Sequence, residues 1–252
     1  MKLESLLQYM DGYLQVSGHP DYSAALNGLQ VAGPDEVHTV VTAVDASLAS
    51  IEAAAGHGAD LMIVHHGLFW GGLEPIVGRH HRRISALLQA RIALYSCHLP
   101  LDAHAEIGNC AVLGRRIGLE LEGRLGQYQG ADLGWWGRLP EASDIEGLTK
   151  RVSEAVGGSV RALPGGPERV ERVGVLTGGG GSFVGEAAAL GLDAFVTGEG
   201  SHHTYFDASE FEIHVLFAGH YATETFGVRA LAEHLTERFE LVSHFVDQPT
   251  GL

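Results

Sequence analysis

Two adjacent histidines, His65 and His66, end the hydrophobic stretch LMIVHH at residues 61–66. Neighbouring side chains on a strand point to opposite faces, but at a strand end the backbone can turn and bring both imidazoles into one pocket. Imidazole nitrogens bind transition metals and also transfer protons near neutral pH. The pair is therefore a candidate for a metal site or for acid–base chemistry, with a chance placement at the start of a loop as the plain alternative.

Two further strand-like stretches end in the same way. IALYSCH ends at His98, which is followed by Asp102, and HVLFAGH ends at His220, which is followed by Glu224. Since ligands bind beyond the carboxyl ends of strands in α/β sheets, these side chains are expected at one kind of position. Together with the histidine pair they supply four imidazoles and two carboxylates.

This donor set is typical of a metal centre. Nitrogen and oxygen ligands without thiolates suit Zn, Mn, Fe, Ni or Co. Six such groups exceed what one four-coordinate ion needs, and they match two ions that share a carboxylate at a separation of about 3.5–4 Å. The sequence contains neither H-E-x-x-H nor G-x-S-x-G, so it favours neither a zinc-protease helix nor a serine nucleophile.

Several of these residues have a second interpretation. His98 follows a cysteine, and it is either a ligand or a pocket histidine that packs and hydrogen-bonds beside the ligands. Glu199 occupies the place of His66 in a second copy of the pattern, where it either lines the pocket or is an ordinary acid at a strand end. The glycine run at 178–181 could cradle a phosphate, but it lacks the Lys and Ser/Thr of a nucleotide-binding loop, which favours a tight turn.

The chain repeats itself. Residues 37–67 align with 170–200 without a gap, as strand, helix, G-x-D and strand. Residues 92–102 align with 214–224, which places His98 over His220. The identical pairs of the first alignment are Val37/Val170, Val40/Val173, Ala54/Ala187, Ala55/Ala188, Gly58/Gly191, Asp60/Asp193 and Gly67/Gly200.

Strand-length apolar runs alternate with helical patterns, which predicts an α/β fold of two related, interlinked units with the metal site at the carboxyl ends of strands. The first unit is expected at 1–125, joined by the C-terminal segment 221–252, and the second at 126–220. Residues 103–118 are predicted to form one helix.

Composition limits the class of protein. The 252 residues are 45% hydrophobic and carry a formal charge of -15. No apolar run approaches the roughly 20 residues that span a bilayer, which disfavours a membrane protein. The acidic balance disfavours nucleic-acid binding over a broad face. Two cysteines are too few for a disulfide framework, so a reducing cytoplasm is the expected compartment.

The motifs NGLQV, IVHHGLFWG, HLPLDAH, TGGGGSF, DAFVTGE and AGHYATE, in this order, closely resemble the YbgI-like dinuclear metal centre family. Its members are often described as GTP cyclohydrolase 1 type 2-like or NGG-interacting-factor-like. The resemblance covers essentially the whole chain. It implies two similar α/β units and a toroidal homohexamer whose metal sites face an internal cavity. It also implies two divalent ions per chain, held by His65, His66, Asp102, His220 and Glu224.

In that arrangement one histidine of the pair serves each ion and Glu224 bridges them. The leading hypothesis is a metal-dependent hydrolase that acts on a small molecule. The family description suggests opening of the guanine ring of GTP with release of formate, and His98 and Glu199 would then transfer protons. A phosphoesterase or amidase would use the same residues. The alternative from another class is a metal-binding or metal-delivery protein, or a ring-shaped scaffold, without turnover.

Overall fold

A computed structural model describes residues 1–70, 72 and 74–251 of the chain. Gly71, which ends the IVHHGLFWG motif, lies outside the described residues, as do Leu73 and Leu252.

The described chain forms two compact units. The first consists of Met1–Leu101 and Gly227–Gln248, and the second of Asp102–Phe226 and Pro249–Leu252. The prediction of an α/β fold with two related units is confirmed by the two mixed sheets described below. The ranges predicted from the sequence, 1–125 with 221–252 and 126–220, use other bounds and stay a prediction.

A five-stranded sheet organises the first unit. Its strands are β1 Gly28–Val31, β2 Thr39–Asp45, β3 Leu61–His66, β4 Ala93–Ser96 and β11 Val242–Phe245. The helices of this part are α1 Leu3–Tyr13, α2 Leu48–Gly56, α3 Gly78–Ala90 and α4 Leu99–Ala103, whose last two residues belong to the second unit. The order in the sheet is β1-β4-β3-β2-β11. Strands β2, β3 and β4 are parallel, β11 joins β2 in parallel, and β1 runs antiparallel to β4. The C-terminal strand thus returns to the first sheet, as predicted.

A six-stranded sheet organises the second unit. Its strands are β5 Glu120–Tyr128, β6 Ala131–Ser143, β7 Arg161–Leu163, β8 Val170–Leu176, β9 Ala194–Thr197 and β10 His214–Phe217. The helices are α5 Asn109–Arg116, α6 Ile145–Val156, α7 Val184–Ala189, α8 Thr204–Glu210, α9 His220–Thr223 and α10 Thr225–Phe239. Helix α10 continues into the first unit. The order in the sheet is β5-β6-β8-β9-β10-β7. Its centre repeats the parallel triplet as β8, β9 and β10, and β7 runs antiparallel to β10 as β1 does to β4.

Strands β3, β4, β9 and β10 are almost entirely buried, which explains their continuous apolar sequences. Each unit has its own apolar core: one includes Met62, Val64 and Leu94, and the other includes Val173 and Val196. Side-chain caps set two helix starts. Ser47 accepts from the N–H of Ser50 before α2, and Asp144 accepts from the N–H of Gly147 before α6. Among the described residues no helix is both long and apolar enough to cross a membrane.

An aspartate in the G-x-D motif closes each repeat in the same way. Asp60 Oδ2 accepts the backbone N–H groups of His38 and Thr39, at 2.8 and 2.9 Å. Asp193 Oδ2 accepts the corresponding N–H groups of Glu171 and Arg172, at 2.9 and 2.7 Å. The carboxylate therefore ties the start of the second parallel strand to the start of the first, and we call this arrangement the aspartate clasp. It accounts for the identity of Asp60 and Asp193 in the sequence alignment.

The strand register corrects the second sequence alignment by one residue. Leu61 pairs with Ala93 in the first sheet, and Ala194, which aligns with Leu61, pairs with His214 in the second. Ala93, and not Ile92, is thus the counterpart of His214. The second repeat has one more residue between strand and histidine. That residue is Gly219, whose φ of 91° lies in the region that favours glycine.

The single helix predicted over 103–118 is wrong, because α4 ends at Ala103 and α5 begins only at Asn109. The His104 side chain explains the break. Its Nδ1 accepts the backbone N–H groups of Glu106 and Ile107, at 3.2 and 3.3 Å, which competes with helical hydrogen bonding. Gly108 fits the resulting turn because a Cβ there would overlap His104 O.

Because the aspartate clasp is the same in both units, we expect its removal from either one to destabilise the protein by a similar amount. Asp60→Ala or Asp193→Ala removes a charged acceptor from two backbone N–H groups, so we expect each to lower the free energy of unfolding by about 1–3 kcal/mol. Urea unfolding followed by circular dichroism measures it. Glu237→Ala, an exposed change in α10, is the control and should stay within about 0.5 kcal/mol of the wild type. Clasp variants as stable as this control would contradict the role.

Candidate metal centre

Three imidazoles lie together in the first unit. His65 and His66 end β3, and His98 follows β4, which is the parallel neighbour of β3. One ring nitrogen from each of the three lies within 4.8 Å of the others. The two adjacent histidines at this strand end therefore share one pocket. Their ring centroids are 4.7 Å apart, and the His98 ring is 4.9 Å from that of His65.

Each of these imidazoles is held through Nδ1 by an oxygen. His65 Nδ1 lies 3.0 Å from Cys97 O, His66 Nδ1 lies 2.9 Å from Asp45 Oδ1, and His98 Nδ1 lies 2.8 Å from Asp21 Oδ1. A carbonyl or carboxylate oxygen only accepts, so Nδ1 must carry the proton in all three. In the neutral ring Nε2 then carries the lone pair, which is the state that binds a metal.

Asp21 is the most connected of these acceptors. Besides His98, it accepts from Asn27 Nδ2 at 2.8 Å and from the backbone N–H groups of Tyr22 and Leu99, at 2.7 and 3.1 Å. Burial alone would raise the pKa of the Asp21 carboxyl. The hydrogen bond and charge of His98 lower that pKa, as do the hydrogen bonds from Asn27 and Tyr22, and together they outweigh burial, so the net pKa is lowered. Asp21 is therefore a carboxylate at neutral pH. It fixes the strand end that carries His98.

The second unit holds the other predicted ligands at the ends of its own strands. His220 opens α9 after β10, and Glu224 follows α9. His220 Nδ1 lies 2.8 Å from Glu199 Oε1, and His220 Nε2 lies 3.1 Å from Glu224 Oε1. The hydrogen bond to Glu224 raises the pKa of His220 to about 9, against the effect of burial and with help from Glu199. The two carboxylates therefore favour a proton on Nε2, and that proton must leave before Nε2 can bind a metal.

Asp102 is supported at the end of β8. Its Oδ1 accepts from Asn109 Nδ2 at 2.8 Å and from Thr177 Oγ1 at 3.0 Å. Thr177 is followed by Gly178, where a Cβ would overlap Glu224 Oε1 and come within 3.3 Å of His220 Nε2. The end of β8 therefore supports Asp102 and leaves room for Glu224. This is the role of the first glycine in the 178–181 run, whose φ is 64°.

The structure thus brings His65 and His66 together with His98 in the first unit, and His220 together with Glu224 and Glu199 in the second. The chemistry of this donor set fits divalent transition metals. Metal-binding histidines nearly always donate Nδ1–H to a carboxylate or carbonyl, and all four imidazoles here have such a partner. His/Asp/Glu groups able to hold a metal are therefore present.

Sequence reasoning missed the supporting residues Asp21, Asp45, Asn109 and Thr177. Asp45 had a signal in the sequence, because it is the polar residue at the end of an apolar strand-like run. In the sheet it pairs with His66. Thr177 had the same signal after β8. Asp21 and Asn109 had none, since they lie in a loop and at a helix start that no period marks.

Both cysteines are buried, which predicts slow thiol chemistry in the folded protein. Cys97 and Cys110 are 0% exposed, and burial, with the charge of Asp102, raises the pKa of Cys110 to about 12. With a chromogenic disulfide at pH 8 we expect both thiols to react more than about 100-fold slower in the native protein than in urea. A native thiol that reacts as fast as in urea would contradict the buried placement.

Comparisons with known proteins agree with this architecture. The family model described as Duf34/NIF3 (NGG1p interacting factor 3) matches residues 1–250. A protein of Deinococcus radiodurans named GTP cyclohydrolase 1 type 2 homolog is 41% identical over 249 residues, which is 99% of this chain and 94% of that protein. A protein of Halobacterium salinarum with the same name is 43% identical, covering 95% of each chain.

Solved structures show the same fold. A structure described as protein ybgI, of unknown function, has a TM-score of 0.94 and 41% identity, and the match covers 100% of both chains. The protein TTHA1606 from Thermus thermophilus has a TM-score of 0.89 and 42% identity over the same coverage. Reduced HcgD from Methanocaldococcus jannaschii, at 24% identity and a TM-score of 0.84, shares the fold. The chain belongs to the DUF34/NIF3 family, as its motifs indicated.

Proposed function

We propose that the chain is a metal-dependent hydrolase in which His65, His66, Asp102, His220 and Glu224 hold two divalent ions. The observation that carries the proposal is the orientation of all four imidazoles through Nδ1 by an oxygen acceptor. Bound ions of this kind supply Lewis-acid polarisation of a carbonyl, imine or phosphoryl group. Fe, Mn, Zn, Ni and Co all suit the donor set.

The substrate class that we propose is a purine nucleotide, with hydrolytic opening of the guanine ring of GTP as the specific reaction. The support is the name of the relatives, GTP cyclohydrolase 1 type 2 homolog, together with the metal-type donor set. In such a reaction the side chains of the site would position the purine ring for attack at one carbon and would transfer protons to and from the substrate.

His98 and Glu199 are the residues that we propose for proton transfer. His98 Nδ1–H donates to Asp21, so Nε2 can take a proton while the Asp21 carboxylate stabilises the resulting imidazolium. The Glu199 side chain is 56% exposed and hydrogen-bonds His220, so it can pass a proton between the site and solvent. His98→Gln should then lower kcat by about 10²–10⁴-fold, in the range of general acid–base catalysis.

Metal content is the first test of the site. Protein purified without added metal or chelator should contain about two ions per chain, and Glu224→Ala should lose at least one, because its carboxylate is proposed to bridge them. Elemental analysis measures both. His38→Ala is the control, since the side chain of His38 is 72% exposed and, among the contacts described, pairs only with Glu36, which is 68% exposed. A wild-type count near zero would refute the metal centre.

Turnover is the second test and separates the two classes of function. Metal-loaded wild type should release formate from GTP, and Glu224→Ala should not, while His38→Ala should match the wild type. A coupled dehydrogenase assay measures the formate. Nucleotides other than GTP, phosphodiesters and amides are tested separately as alternative substrates. A protein that holds two ions but turns over none of these would instead be a metal-binding, metal-delivery or scaffold protein.

We also propose a cytoplasmic homohexamer that binds neither membranes nor nucleic acid. The family resemblance supports the hexamer, and the aromatic side chains Tyr205, Phe206 and Phe211, each at least half exposed, offer apolar surface in the second unit. The formal charge of -15 opposes binding to a phosphate backbone. Light scattering should give a mass six times that of the 26.8 kDa chain.

A further inference from the structure

We propose that Asn109 and Thr177 are positioning residues that set the orientation of the Asp102 carboxylate for metal binding. The inference rests on the metal centre proposed above and extends it to two residues to which the sequence assigned no role.

The three side chains meet from three different elements. Asp102 lies in α4, Asn109 opens α5, and Thr177 follows the last residue of β8. All are buried, with 6%, 0% and 4% of their surface exposed, respectively. The distances to Asp102 Oδ1 are 2.8 Å from Asn109 Nδ2 and 3.0 Å from Thr177 Oγ1. Two hydrogen bonds in the buried interior fix the plane of the carboxylate, because each oxygen accepts along preferred directions.

The direction of each proton follows from the chemistry. A carboxylate only accepts, so the single hydroxyl hydrogen of Thr177 must point at Asp102. Cys110 Sγ lies 3.3 Å from Thr177 Oγ1, and since that hydrogen is committed, the S–H of Cys110 is the donor of this contact. The Thr177 N–H donates back to Cys110 Sγ at 3.4 Å. Burial keeps Cys110 a thiol, which is the form that this chain of hydrogen bonds requires.

The consequence concerns the second oxygen of Asp102. Two donors hold Oδ1, so rotation of the carboxylate about the Cβ–Cγ bond would break both hydrogen bonds. In the buried interior the loss of these bonds costs free energy. Oδ2 is therefore presented in one orientation before any metal arrives. A ligand fixed in this way loses little freedom on binding, and outer-shell partners of this kind typically contribute about 10–100-fold to metal affinity.

The experiment compares Thr177→Val and Thr177→Ser in the full-length apoprotein. Valine keeps the shape and removes the hydroxyl, whereas serine keeps the hydroxyl. Competition with a chromogenic chelator gives the Kd for Mn²⁺ and Co²⁺, and the visible spectrum of the Co²⁺ protein reports its coordination. We expect about 10–100-fold weaker binding and a changed spectrum for Thr177→Val, and values within about 3-fold of wild type for Thr177→Ser.

Asn109→Ala provides the second variant, should Thr177→Val fail to fold, and we expect the same loss. Thermal unfolding of each apoprotein separates positioning from stability, because a purely structural role would lower Tm and leave the Kd of the folded protein unchanged. Wild-type affinity in folded Thr177→Val and Asn109→Ala would overturn the inference. If the wild type itself binds no metal, the metal centre fails, which is a different result.

Discussion

The hydrogen bond from Nδ1–H of each imidazole to an oxygen is the interaction on which the candidate site depends. Without it a histidine ring rotates between rotamers and exchanges tautomers, and its Nε2 has no fixed direction. Here the rotamer and the tautomer of the four rings are determined by four acceptors, which are Cys97 O, Asp45, Asp21 and Glu199. The acceptors come from a backbone carbonyl and three carboxylates, so the fold must bring each to within hydrogen-bond distance before any metal binds.

Parallel strands solve this positioning problem in both units. Strand β3 ends in two imidazoles, and a third follows β4 after one intervening residue. The neighbouring β2 ends in Asp45, which orients His66. In the second unit Thr177 directly follows β8, and its hydroxyl donates to Asp102. One strand of each triplet thus carries a supporting group and another carries or precedes a ligand. Because the strands are fully hydrogen-bonded along their length, their ends are held more rigidly than a loop alone would hold them.

The sequence was sufficient for the class of fold, the repeat and the polar residues that follow the strands, because buried parallel strands give continuous apolar runs that end at polar side chains. It was insufficient where a side chain overrides the pattern. His104 accepts two backbone N–H groups and splits a helix that apolar spacing had predicted as continuous. The extra Gly219 shifts the register of the second repeat by one residue, a change that periodicity does not record. Asp21 lies in a loop, and its importance appears only once its four donors are seen.

The repeats also carry a record of divergence. The position equivalent to His65 is Gly198, where a Cβ would lie 2.6 Å from Gly178 O and 2.8 Å from His220 Cα. Any side chain at that position is now excluded by its own repeat, whatever residue a common precursor carried there. The two repeats are therefore not interchangeable at this position, because the backbone around Gly198 has no space for a Cβ. A histidine at position 198 would require the backbone at Gly178 and His220 to move, so the second repeat cannot acquire the histidine pair of the first by one substitution.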